Sequence, residues 1–328
     1  MSSEPELGVV LSKRSPQGMI IVLLSAAIVT LLIVHFVRAD RGEGWNDRAE
    51  AFVPIIGKLR PLHQPLGPPK PGEWLANNKE PGQTFRQYVT QDPIRPTDKR
   101  GTICILPIGD FTEDQLKVVK LTAEYMEIFY SLPVKMMDAL PDDEIPEHAR
   151  RVHPTWGDRQ FLSTYILDEV LKARLPKDGC VILGLTATDL WPGDGWNFVF
   201  GQASIRERVG VWSIYRKGDP SLSEDAFRLC LLRTIKTAVH ETGHMFSIRH
   251  CTAYECLMCG SNSLPESDGR PVAFCPECMA KVCWVTKADP LERMKKLAAF
   301  CKEQGFESDL KLYSQQISVL EGEGKAGE

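Results

Sequence analysis

The sequence predicts an α/β (α+β) fold with a mixed sheet, and three observations carry that expectation. Two continuous apolar runs, Thr102–Ile108 and Cys180–Leu185, read as buried strands separated by two amphipathic helical stretches. A third, largely apolar helix ends in two histidines four residues apart. Six of the ten cysteines fall between Cys251 and Cys283, too clustered for scattered core thiols. Hydrophobic residues at 43% and charged residues at 25% exclude a disordered chain, a collagen-like repeat and a multi-span membrane protein. The formal charge of -4 gives no nucleic-acid footprint.

The chain is read in order as tail, anchor, linker and body. Residues 1–18 form a polar tail. Met19–Val37 follows, without a single Asp, Glu, Lys or Arg. At 1.5 Å per residue such a helix spans about 28 Å, near the hydrocarbon thickness of a bilayer. This reads as a single transmembrane anchor, with a cleaved signal peptide as the competing reading. Lys13 and Arg14 precede the span, whereas Arg38, Arg41 and Arg48 follow it, which favours a body facing the cytoplasm. Residues 38–100 are proline-rich, with Pro65, Pro68, Pro69 and Pro71 close together, and read as a semi-rigid linker or wrapping arm.

Residues 101–328 form the body, and regular structure is expected to begin at Thr102. Phe111–Tyr130 has helical spacing through Leu116, Val119, Ala123 and Met126, and Arg159–Leu175 reads as a second amphipathic helix. Asn197–Gly201 and Val209–Tyr215 read as a strand pair near an edge. Ser221-Leu-Ser-Glu224 is a capping-box pattern opening the third helix.

The chemistry lies after that helix. In His240-Glu241-Thr242-Gly243-His244 the two histidines share one helix face and can reach one metal ion, while Glu241 can address the metal's water. His250, ten residues after His240, supplies a third nitrogen if the chain folds back. Three neutral histidines leave one zinc position open for water, the arrangement of a catalytic site. Cys251, Cys256, Cys275 and Cys278 have the paired spacing of a four-thiolate structural zinc site, with a disulfide pair as the alternative. Cys259 and Cys283 lie close by, whereas Cys104, Cys180, Cys230 and Cys301 sit in apolar surroundings as core thiols.

HETGHMFSIRHC, the Cys256-Leu-Met258 step, GSNSLPESDGRP and CPEC resemble the archaemetzincins, zinc peptidases of the metzincin clan. WNFVFGQA (196–203), SIYR (213–216) and PGQTFRQY (81–88) extend the likeness over roughly residues 80–285. The resemblance implies a metzincin-like zinc peptidase domain with an active-site helix and a zinc-stabilised C-terminal subdomain. It implies His240, His244 and His250 as catalytic zinc ligands, Glu241 as general base, and Met258 as the floor beneath the histidines. It also implies Cys251, Cys256, Cys275 and Cys278 as ligands of a second zinc, so two ions per chain. The implied partner is a peptide or protein substrate, laid along an edge strand near Val209–Tyr215. A catalytically weak, zinc-stabilised peptide-binding module is the alternative. Ser247 departs from the family, which places glycine there, so strain of about 1 kcal/mol is expected at the turn.

Overall fold

Thr102–Ile108 forms strand β1 and Gly179–Thr186 forms strand β5, every residue of β5 buried. They pair in parallel at the centre of a five-stranded sheet in the computed structural model, which describes residues 47–322. The other strands are β2 (Val134–Met136), β3 (Arg150–Val152), β4 (Arg159–Leu162), β6 (Asp189–Trp191), β7 (Gly201–Ser204) and β8 (Val209–Ser213). The larger sheet has the order β2-β1-β5-β8-β7, parallel throughout except for the antiparallel edge strand β7. A second sheet, β3-β4-β6, joins an antiparallel and a parallel pair. The mixed sheet is therefore as expected. Its centre is continuously apolar because both faces are covered.

The chain divides into Met1–Ala51 and Phe52–Glu328. The second unit holds all elements named here, and regular structure in it starts well before Thr102. Helix α1 (Phe52–Leu59) buries Phe52, Ile56 and Leu59, a spacing of four and three that marks one helix face. Helix α2 (Trp74–Asn77) is a single turn. Helix α3 (Phe85–Thr90) opens on a capping box between Thr84 and Gln87. Prolines masked these elements in the sequence, yet Pro54 lies in the first turn of α1, where a missing N–H costs nothing.

Helix α4 (Glu113–Tyr130) matches its expected span to within two residues. The expected helix over Arg159–Leu175 is instead strand β4 followed by a helix from Ser163, whose middle, Ile166–Leu171, is a π turn. Buried Gln160 and Phe161 pair with Asp189 and Leu190, and this sheet partnership overrides the local helical spacing. Helix α5 (Glu224–Met245) is capped by Ser223, whose hydroxyl accepts from Ala226 N, rather than by Ser221, which binds Asp219. The C-terminal part is helical: α6 (Leu264–Asp268), α7 (Pro276–Thr286), α8 (Pro290–Gln304) and α9 (Glu307–Glu321).

Two further expectations change. The segment Met19–Val37 lies outside the described residues, and among the described residues no helix is long and apolar enough to cross a membrane. The single-pass membrane localisation, with its body facing the cytoplasm, is accordingly withdrawn. Val209–Ser213 is not an edge: it pairs with β5 on one side and β7 on the other, so the edge strand on this side of the sheet is Gly201–Ser204.

Candidate active site

Helix α5 places His240 and His244 on one face in its last two turns. The helix then ends in a Schellman motif: Ser247 N donates to His244 O at 2.8 Å and Ile248 N to Gly243 O at 3.0 Å. This ending requires a left-handed residue, and Ser247 supplies it with φ +66°. The strain expected at this non-glycine position is therefore present. It is offset by the hydroxyl, which accepts from Ile94 N at 3.0 Å. The reversal returns the chain so that His250 meets the other two imidazoles.

The three rings converge, with one nitrogen from each lying within 4.8 Å of the others. His240 Nε2 and His244 Nε2 are 3.0 Å apart. Tetrahedral zinc with bonds near 2.0–2.1 Å separates its nitrogens by about 3.3 Å, so the spacing fits. The tautomers follow from the acceptors. His240 Nδ1 lies 2.8 Å from Leu257 O, and His244 Nδ1 lies 2.7 Å from Ile248 O. A carbonyl only accepts, so each Nδ1 carries the proton and each Nε2 keeps its lone pair. Burial lowers both histidines from 6.5 to about 4, which keeps them neutral at pH 7.

His250 Nδ1 lies 2.9 Å from both carboxylate oxygens of Glu80. Glu80 also accepts from Trp74 Nε1 at 3.1 Å, and the Trp74 ring stands edge-on to His250. Gly260 lets that indole approach, since a Cβ there would fall 2.3 Å from its ring. Tyr88 OH donates to Phe246 O at 2.7 Å, and Gln83 Oε1 accepts from Arg249 N at 3.2 Å. Residues 74–94 thus hold the turn that carries the third histidine. Glu80 and Trp74 were not singled out from the sequence. The available signal was an acid and an aromatic residue just before PGQTFRQY, too common a pattern to stand out.

Glu241 lines the same cavity of about 430 Å³ as the three histidines. Burial raises its carboxyl above the usual range, while His244, His250 and Lys217 pull it back. Beneath the histidines, Met258 is fully buried against Gly243, where a Cβ would come within 2.7 Å of Met258 Sδ.

Cys251, Cys256, Cys275 and Cys278 form a second group, their Sγ atoms within 4.8 Å of one another and all buried. None of the ten cysteines is in a disulfide, which removes that alternative. Cys256 Sγ accepts from Cys275 N at 3.2 Å and from Met258 N at 3.5 Å. Hydrogen bonds from Cys256, Cys259, Cys275 and Cys278 hold the Cys251 thiol well below its ordinary value, whereas burial pushes Cys256 and Cys275 up. Four buried sulfurs crowded around one point suit a cation at their centre. Cys259 Sγ, beside this group, also lies 3.2 Å from Tyr254 O, and Cys283 donates to Met279 Sδ. Cys251 N donates to Met258 O at 2.8 Å, tying this cluster to the floor of the histidine site.

Peptidase family M54 matches residues 163–283, a span holding all seven of these histidines and cysteines. Archaemetzincin-2 of Macaca fascicularis is 33% identical over 307 residues, covering 84% of this chain and 83% of that protein. The chain belongs to the archaemetzincins. It is a zinc metallopeptidase of that family. The archaemetzincin of Thermococcus kodakarensis is 35% identical over 188 residues, 55% of this chain and 94% of that protein. The crystal structure of an archaemetzincin from Methanopyrus kandleri shares 30% identity, covers 58% of this chain and 98% of that chain, and has a TM-score of 0.46.

Proposed function

We propose that this archaemetzincin hydrolyses peptide bonds, with His240, His244 and His250 holding a catalytic zinc ion and Glu241 as general base. Cys251, Cys256, Cys275 and Cys278 hold a second, structural zinc, giving two ions per chain. The observation that carries this reading is the committed state of the three imidazoles. Each Nδ1 is spoken for by Leu257 O, Ile248 O or Glu80, which leaves three Nε2 lone pairs for one cation. A zinc ion there supplies a Lewis acid that polarises the substrate carbonyl and acidifies a bound water.

The chain's own residues divide the remaining work. Glu241 takes the water's proton on its carboxylate and later delivers it to the leaving amine. It lines the cavity with no protein hydrogen-bond partner among the described residues, so both oxygens are available. Met258 and Gly243 keep the floor apolar and closely packed. Strand β7 offers an unpaired edge beside the cavity, where Phe200 and Gly201 form part of the wall, and an extended peptide can add to it.

Replacing Glu241 with Gln in the zinc-loaded full chain keeps size and polarity but removes the base. Cleavage of a peptide library should fall by about 10²–10⁴-fold while zinc stays bound. An unchanged rate refutes the role of Glu241.

A further inference from the structure

The cavity beside the three histidines has a charge that peptide hydrolysis alone does not require. Its wall carries Lys217, Lys236 and Arg270, against Glu241 as the one carboxylate. The three cations are used differently. Lys236 Nζ donates to the backbone carbonyls of Ser267, Asp268 and Arg270, and so pins the C-terminal end of α6 and the turn after it. Arg270 is held by Glu255 through Nη1. Lys217 Nζ has a single oxygen partner among the described residues, Thr237 Oγ1 at 2.7 Å, and lies over the Phe200 ring at 4.7 Å. Its side chain is almost wholly buried, with 4% of the residue exposed.

A lysine ammonium has three protons to donate. A buried one with a single oxygen partner, on the wall of a substrate cavity, is incompletely satisfied without a ligand. Thr237, which accepts from Lys217 Nζ, is four residues, about one helical turn, before Glu241 on α5. The ammonium lines the same cavity as Glu241 and the three histidines and is close enough to Glu241 for their charges to interact. Burial lowers Lys217 to about 8, so it remains protonated at neutral pH, and the nearby Glu241 charge supports it. Ser261, Ser263 and Ser267 also line this cavity and add hydroxyls but no negative charge.

We propose that this cavity is an anion subsite in which Lys217 binds a carboxylate of the peptide substrate. The inference rests on the peptidase reading above and names the class of substrate it takes. The carboxylate can come from an acidic side chain flanking the scissile bond or from the peptide's own C-terminus. Both present the same planar anion to the ammonium, and they differ in whether amidating the C-terminus abolishes recognition.

The test uses the zinc-loaded full chain and peptides from a cleavage library. Matched pairs carry Glu or Gln on either side of the scissile bond, and a free or amidated C-terminus. The wild type should prefer one anionic member by at least about 10-fold, and Lys217→Met should reduce that preference by about 10- to 100-fold. Lys217→Arg, which keeps the charge, should retain most of it. Loss of preference on amidation alone assigns the C-terminus, and loss on Glu-to-Gln exchange alone assigns the side chain. An equal loss on both members of every pair makes Lys217 a counter-ion for Glu241 and overturns the proposal. So does a wild type that cleaves neutral peptides as well as anionic ones. Fluorescence-anisotropy binding of the same labelled peptides to the Glu241→Gln variant reads the subsite without turnover. Preferential, Lys217-dependent binding there supports the subsite even where the peptidase reading fails, and equal binding of both members refutes it.

Discussion

Glu80 accepts from His250 Nδ1 with both carboxylate oxygens, each at 2.9 Å, across 170 residues of sequence. A carboxylate is acceptor-only, so it fixes the His250 proton on Nδ1 and leaves the other nitrogen for a metal. His240 and His244 have backbone carbonyls in this role, whereas His250 has a charge. Of the three histidines, His250 is the one outside the rigid helix α5, and it is the one held by an anion from another segment.

Removing that anchor should loosen one zinc and spare the other. Glu80→Ala should weaken zinc binding at the histidine site by about 10- to 100-fold, with the thiolate site unchanged. Glu80→Gln, whose amide oxygen still accepts, should fall in between. Zinc release to a chromogenic chelator, followed in two phases, measures both sites at once. An unaltered fast phase in Glu80→Ala would separate the arm from the metal centre.

The two metal groups should respond differently to loss of a ligand. Purified full chain should contain two zinc ions, and His244→Ala should contain one while keeping its far-ultraviolet circular dichroism. Cys251→Ser should instead lose the fold around α7, because affinity at a thiolate site is largely folding free energy. One zinc in the wild type, unchanged by Cys251→Ser, would eliminate the thiolate site.

Ser247 balances two opposing terms. Its left-handed φ costs about 1 kcal/mol relative to glycine, and its hydroxyl gives a hydrogen bond to Ile94 N worth about 1 kcal/mol. Ser247→Gly should therefore leave stability within about 0.5 kcal/mol of the original, whereas Ser247→Ala keeps the strain and loses the bond, costing about 1–2 kcal/mol. Urea unfolding midpoints of the two variants, at unchanged slope, decide the matter. A Ser247→Ala variant as stable as the original would show that the hydroxyl bond to Ile94 N adds no net stability.

What was legible in the sequence depended on how local its cause was. Strand β1, strand β5 and helix α4 follow from apolar periodicity, and the seven histidine and cysteine positions follow from spacing along one short stretch. Strand β4 was missed because Gln160 and Phe161 owe their conformation to Asp189 and Leu190, nearly thirty residues away. Glu80, Trp74 and Lys217 were missed because each packs against a cavity built from residues distant in the chain. Nothing in their own neighbourhoods marks them. The early helices α1 and α3 were legible in principle, through the spacing of Phe52, Ile56 and Leu59 and the Thr84–Gln87 cap, but the prolines around them pointed to an extended arm.

Acid should destabilise the protein through three histidines that are buried in the neutral form. Burial lowers His63, His240 and His244 from 6.5 to about 4. Between those values the unfolded chain binds protons that the folded chain does not, so stability is full above about pH 6.5 and falls as pH drops towards 4. His63 belongs to neither metal group. Its Nε2 accepts from Gln316 Nε2 at 2.8 Å, joining the N-terminal arm to α9, and protonation of that nitrogen abolishes the bond. Zinc held by His240 and His244 keeps protons off them in the folded state only, so both continue to contribute to the slope, and His63 adds about one proton to it. His63→Gln should therefore make the dependence of the urea midpoint on pH between 6.5 and 4 shallower by about one proton. The part of the slope that His240 and His244 supply should remain in the variant. Identical slopes for variant and wild type with zinc bound would show that His63 titrates normally and that the acid limb has another origin.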